Sequence, residues 1–157
     1  EECYDLWSCN NLYWYLTHAC SPVTDGLMPY READLLRNIL DRADAALKEG
    51  KNQATLRFGH ESCLLPLVAL LELNHYGESY PDVEKLSEQW RAYDIFPMAS
   101  NVQFVFFHKK GSNDVLVKVL LNEKETKLPV KTDVAPYYHW KDVESYYREK
   151  LDKYQHI

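Results

Sequence analysis

The sequence has no run of roughly 18 apolar residues, so no segment of it is long and apolar enough to cross a membrane as a helix. It also lacks an excess of positive charge: 18 Lys and Arg stand against 24 Asp and Glu, for a formal net charge of -6. A general binder of nucleic acid or anionic membranes needs a basic face to displace counterions, so both classes are excluded. An anionic ligand must then be held by a few local cations, because the overall field repels it. The four cysteines form no C-x-x-C pair and match no zinc module, and the scattered histidines show no metal-ligand spacing. No metal and no cofactor are expected. No internal repeat, low-complexity tract or Gly/Ser linker divides the chain.

What is present is ordinary for a folded protein: 46% hydrophobic and 27% charged residues, which excludes disorder. A length of 157 residues suits one modest domain or a large piece of a bigger one. Position 1 is Glu, not Met, and the chain reads as a processed or excised piece. The lack of a leader therefore says nothing about its compartment. Cys3, Cys9, Cys20 and Cys63 allow three pairings, and spacing does not choose among them. A disulfide among Cys3, Cys9 and Cys20 would require export. Free thiols are the expectation, with Cys63 buried in its apolar run.

Along the chain, Tyr4 to Ala19 reads as an aromatic-rich helix broken by Ser21-Pro22 and Asp25-Gly26. From Glu32 to Lys48, Leu36, Ile39, Leu40, Ala43 and Leu47 recur at helical spacing, and Gly50 supplies a stop. Ala54, Leu56 and Phe58 alternate with Thr55 and Arg57, which predicts a strand over 53–59. Cys63 to Leu73 is almost wholly apolar and predicts a buried helix with Pro66 in its first turn. Val83, Leu86 and Trp90 suggest a short amphipathic helix. Val102–His108 and Val115–Leu121 read as a hairpin turning at Lys110-Gly111-Ser112-Asn113, with a third short strand at Lys127–Val130. Trp140, Val143, Tyr147, Leu151 and Tyr154 mark a terminal helix after Pro136. The order predicts an α/β layered core: a mixed, mainly parallel sheet with an antiparallel edge hairpin, flanked by helices.

Ligands of open α/β sheets bind beyond the carboxyl ends of strands, where the next helix begins. His60 and Glu61 occupy such a place. The helix after them presents unpaired N–H groups and a positive dipole end to an oxyanion, and Ser62 could cap it. An imidazole supplies an anion-binding cation, and a carboxyl group a proton donor or base. A His-Glu pair taken alone is more often a helix cap with a solvated carboxylate.

The wider string shifts that balance. Ala54-Thr55-Leu56-Arg57-Phe58-Gly59-His60-Glu61-Ser62-Cys63-Leu64-Leu65-Pro66-Leu67 resembles the second catalytic motif of histidine acid phosphatases. It is most similar to the branch of multiple inositol polyphosphate phosphatases and related phytases. Phe96-Pro97-Met98-Ala99-Ser100-Asn101 and Val117-Lys118-Val119-Leu120-Leu121-Asn122 resemble that family's closing strands. Asp5-Leu6-Trp7 and Leu35-Leu36-Arg37-Asn38 resemble the region before the motif. Only the string around His60 is specific.

The resemblance implies a phosphomonoesterase working through a phosphohistidine, with His60 binding phosphate and Glu61 donating the proton. Its substrate would be a phosphorylated small molecule such as an inositol phosphate. The family's nucleophile lies in an Arg-His-Gly-x-Arg motif that this sequence does not contain. The chain therefore reads as 1–157 of the C-terminal portion of one histidine phosphatase-like domain, with 1–30 in its helical cap region. The missing N-terminal part of the same polypeptide would supply the nucleophile, and the isolated chain would be inactive. One departure is visible. The inositol-phosphate branch commonly places Glu two positions after His, whereas here Glu61 follows directly and Ser62 takes the other position. A periplasmic or secreted location is implied by resemblance only. The alternatives are a non-catalytic phosphate- or sugar-binding module on the same fold, or a complete chain paired with a separate subunit carrying the Arg-His-Gly strand.

Other features have plainer readings. Arg57 could reach a phosphate but is expected to pair across the sheet with a carboxylate, and Met28, Tyr30 and Arg31 could line a substrate cleft but are expected to be solvated loop residues. Twelve tyrosines and four tryptophans invite a sugar-stacking reading, yet Trp140, Tyr147 and Tyr154 follow helical spacing and belong to a core. Lys109-Lys110 reads as a solubilising hairpin tip.

Overall fold

The computed structural model describes residues 1–154. Helix α1 (Glu2–His18) carries little apolar periodicity, and its inward residues are Asn11, Tyr15 and His18. Tyr15 lies in the core with Leu12, Trp14 and Leu16 packed beside it, and polar groups share the docking. The buried Asn11 amide donates to the Trp90 carbonyl at 3.0 Å and accepts from the Ala92 N–H at 2.8 Å. That exchange pins α1 to the short helices α4 (Leu86–Gln89) and α5 (Ala92–Ile95) without leaving a buried amide unpaired. Helix α2 (Ala33–Glu49) is amphipathic as its spacing predicts: Leu36 and Leu40 are fully buried, and Gly50 ends it in the left-handed region at φ 64°.

Helix α3 (Glu61–Leu70) runs from solvent into the core. Residues 61–63 are exposed, whereas Leu65 through Leu71 are buried. Pro66 is its sixth residue, not part of its first turn, so the Ser62 carbonyl receives no N–H from that position. The thiol of Cys63, expected inside, is exposed because it lies in this outer turn. All four cysteines are free.

The sheet is built on β2 (Val115–Leu121), which pairs antiparallel with β1 (Val102–His108) from Val102↔Leu121 to His108↔Val115. On its other edge β2 meets β3 (Lys124–Glu125) and β4 (Tyr138–His139). Val117, Val119 and Leu121 point into the core, and helix α6 (Trp140–Tyr154) packs there through Trp140, Val143, Tyr147 and Leu151. The third strand lies at 124–125, not at Lys127–Val130. Asn122 and Glu123 both take positive φ (51° and 66°), the geometry of a two-residue hairpin turn, so pairing resumes at once.

Helices layered on a sheet with an antiparallel hairpin match the expected class. The parallel component does not: among the described residues every strand pair is antiparallel. Residues 51–60 form no strand and all are exposed, Leu56 at 76% and Phe58 at 95%. Alternation makes a strand only when a neighbour completes the ladder, and no strand of the described residues lies alongside. Two side-chain bonds to α2 hold this segment: Arg57 to the Asn38 amide oxygen at 2.7 Å, and Gln53 to the Ala46 carbonyl at 3.3 Å. Arg57 thus meets an amide instead of a carboxylate.

Candidate active site

His60 is the N-cap of α3, with extended backbone (φ -115°, ψ 163°). Its carbonyl accepts from the N–H groups of Cys63 and Leu64, both at 3.0 Å, which starts the helix. No side chain caps this end, so Ser62 does not play the role its position suggested. The consequence is chemical. An uncapped helix N-terminus keeps its N–H donors and its partial positive charge available to an anion.

His60, Glu61 and Ser62 are exposed, and neither His60 nor Glu61 is in an ion pair among the described residues. Adjacent in sequence at the start of one helix, they share its open end. Two surface hollows, of about 210 and 290 Å³, are lined by residues such as Glu72 and Leu128 in one and Tyr4 and Cys9 in the other, and neither includes His60 or Glu61.

The surroundings of α3 explain how this end is held. The 3-10 turn Met28–Glu32 packs along the helix and buries Pro29. Partial burial raises the Glu32 carboxyl above its usual range against the opposing pulls of Arg31 and of Cys63 in the first turn of α3. At the far end the last carbonyls are capped from α6. Tyr147 donates to the Leu71 carbonyl at 2.7 Å, and Lys150 donates to the Leu70 carbonyl at 2.7 Å. Sequence reading expects Met28, Tyr30 and Arg31 to be solvated and Tyr147 to be core, and gives none of them a part in holding α3; Met28 and Tyr30 are instead half-buried. Tyr147 and Lys150 carry only the signature of an amphipathic helix, and nothing local announces that they terminate another one.

Among the described residues no cluster of three or more His, Cys, Asp or Glu could hold a metal ion, and no helix is long and apolar enough to cross a membrane.

Comparison with known proteins places these features. The family model described as "Histidine phosphatase superfamily (branch 2)" matches residues 30–122, a stretch that contains α2, the 51–60 segment, α3 and the hairpin. Multiple inositol polyphosphate phosphatase 1 from Homo sapiens is 28% identical over 134 residues, covering 77% of this chain and 27% of that protein. The Gallus gallus protein of the same name is 27% identical over 135 residues, covering 74% of this chain and 28% of its own length. The chain thus spans little more than a quarter of these relatives. Among solved structures, a Bifidobacterium longum multiple inositol polyphosphate phosphatase in complex with inositol hexasulfate superposes with a TM-score of 0.64 at 26% identity, over 75% of this chain and 25% of that one. Its apo form superposes with a TM-score of 0.75 over 88% of this chain and 30% of that one, at 24% identity, a likeness of fold. With a family model matched across residues 30–122, from the turn before α2 to the end of the hairpin, the chain belongs to the histidine phosphatase superfamily, branch 2.

Proposed function

We propose that this chain supplies one half of the active site of a phosphomonoesterase that acts on inositol polyphosphates through a phosphohistidine. The observation that carries the proposal is the matched stretch 30–122, which has the exposed pair His60-Glu61 at the uncapped start of α3. The nucleophilic histidine would come from an Arg-His-Gly-x-Arg strand in a preceding part of the same polypeptide. The segment 51–60, with Leu56 and Phe58 exposed and its ladder unpaired, is where that part would dock as neighbouring strand.

The chemistry follows from charge. A histidine nitrogen attacks phosphorus, the P–N bond forms, and the P–O bond to the alcohol breaks. Negative charge grows on the departing oxygen, and Glu61 in its protonated form delivers the proton there. Protonated His60 and the first N–H groups of α3 hold the equatorial phosphate oxygens, whose charge rises in the transition state. Glu61, now a carboxylate, takes a proton from water as it attacks the phosphohistidine, and phosphate leaves. A donor that must be protonated and an imidazole that must be charged give a mildly acidic optimum.

Glu61→Gln in the complete protein tests the reading. Turnover of inositol hexakisphosphate should fall by about 10²–10⁴-fold while phosphate affinity is kept, the size ordinarily lost with a general acid. Unchanged turnover would remove Glu61 from the site, and a complete parent protein that binds phosphate without turning over substrate would favour the binding-module reading. The isolated 157-residue chain should release no phosphate, and turnover equal to that of the complete protein would overturn the divided site.

A further inference from the structure

Away from α3, His139 stands between two carboxylates. Its Nδ1 lies 3.1 and 3.0 Å from the two oxygens of Asp114, and its Nε2 lies 3.0 Å from Oδ1 of Asp133. The three residues come from three places. Asp114 ends the turn of the β1–β2 hairpin, where its N–H is held by Ser112 Oγ at 3.0 Å; His139 is in β4, opposite Leu116; and Asp133 lies in the 131–137 loop.

A carboxylate at neutral pH only accepts hydrogen bonds, and a neutral imidazole has one N–H and one lone pair. In the neutral ring one of these two contacts would set lone pair against lone pair. Both are satisfied only in the imidazolium. We propose that Asp114, His139 and Asp133 form a pH-operated latch, which fastens the 131–137 loop to the hairpin in acid and frees it when the ring loses a proton.

Two other groups nearby are engaged elsewhere. From β2, Lys118 is paired with Glu125 at 3.1 Å and lies over the Tyr137 ring. From β1, His108 Nε2 is bonded to the Ser112 carbonyl at 2.7 Å. Lys141 and Asp142 at the start of α6 form no ion pair with His139 among the described residues. The loop's remaining ties are short-range: Thr132 Oγ1 to the Tyr137 carbonyl at 2.7 Å, and the Tyr137 N–H to the Val134 carbonyl at 3.0 Å. The Tyr137 ring, edge-on to Phe107 and under Lys118, also reaches the sheet.

The contacts to Asp114 and then Asp133 raise the His139 pKa above the ordinary 6.5, and the contact to His139 lowers that of Asp133. The sign follows. The latch is closed from the lowered Asp133 pKa upward and opens as pH rises through the raised His139 pKa. Asp114 faces Nδ1 with both oxygens and is the less exposed carboxylate, 52% against 83%, so Nδ1 keeps the last proton and Asp133 is the partner released.

Side-chain and backbone NMR of the complete protein, titrated from about pH 5 to pH 9, tests this. His139 should titrate with a midpoint above 6.5, and the amides of residues 133–137 should move with that same midpoint. In Asp133→Asn the histidine still titrates but the loop amides no longer follow it. In His139→Asn they show no transition in this range. A wild-type midpoint at or below 6.5 would overturn the latch, as would loop amides that titrate identically in Asp133→Asn.

Discussion

The Tyr147 hydroxyl, fully buried on α6, donates to the Leu71 carbonyl just past the end of α3 at 2.7 Å. This bond fixes the inner end of the helix whose outer end carries His60 and Glu61. Tyr147→Phe removes the donor without changing the packing and leaves a buried carbonyl unpaired. The expected cost is about 1–3 kcal/mol, read as a lower denaturant midpoint with an unchanged slope. A variant as stable as the parent would show that the α6 cap contributes nothing.

Glu72, directly after Leu71, has positive φ (53°) and is held by Tyr146 at 2.5 Å and Lys150 at 3.0 Å. Gly77 packs against it so closely that a Cβ there would lie 2.6 Å from Glu72 Cγ and 2.8 Å from its Cα. The backbone atom cannot swing aside. Gly77→Ala should destabilise the fold by about 1–3 kcal/mol, measured by thermal or denaturant unfolding.

Arg148 ties α6 to α2, contacting Asp41 at 2.9 Å and Asp44 at 2.8 Å while Glu144 on its own helix braces it at 2.7 Å. Partial burial pushes the Asp44 carboxyl up, but bonds from Trp140 and Arg148 outweigh it, leaving the group below the ordinary 3.8. A lowered folded pKa contributes stability that is present above 3.8 and lost as pH falls through the folded value. Asp44→Asn should therefore cost about 1–3 kcal/mol near neutrality. The gap between variant and parent should close in strong acid, and a gap independent of pH would refute the assignment.

Cysteine labelling separates the four thiols. Cys3, Cys9 and Cys63 are exposed, whereas Cys20 is partly covered and burial raises it to about 11. In the chain, three thiols should react promptly with a disulfide reagent at about pH 8 and Cys20 only on unfolding, because the thiolate is the reactive form. Four equal rates would contradict this placement.

Much of the architecture was legible along the chain. The spacing of Leu36, Leu40 and Leu47 locates α2, the apolar string Cys63 to Leu73 locates α3 to within three residues at each end, and the alternation flanking Lys110-Gly111 locates the hairpin to the residue. The placement of His60-Glu61 at a helix start was also legible, because an apolar string begins just after them. Local signals suffice for such features: periodicity and turn chemistry act over a few residues.

Whether 53–59 becomes a strand, whether Cys63 is inside, and what holds each end of α3 were settled only by the folded chain. A ladder needs a neighbour, burial depends on which turn of a helix meets the core, and the groups that cap α3 arrive from α6, about 80 residues further along. Sequence determined which segments could form helices and where a hairpin must turn. Tertiary contact decided which hydrogen-bonding groups found partners, since pairing across that distance depends on where the folded chain brings them in space, which no local pattern encodes.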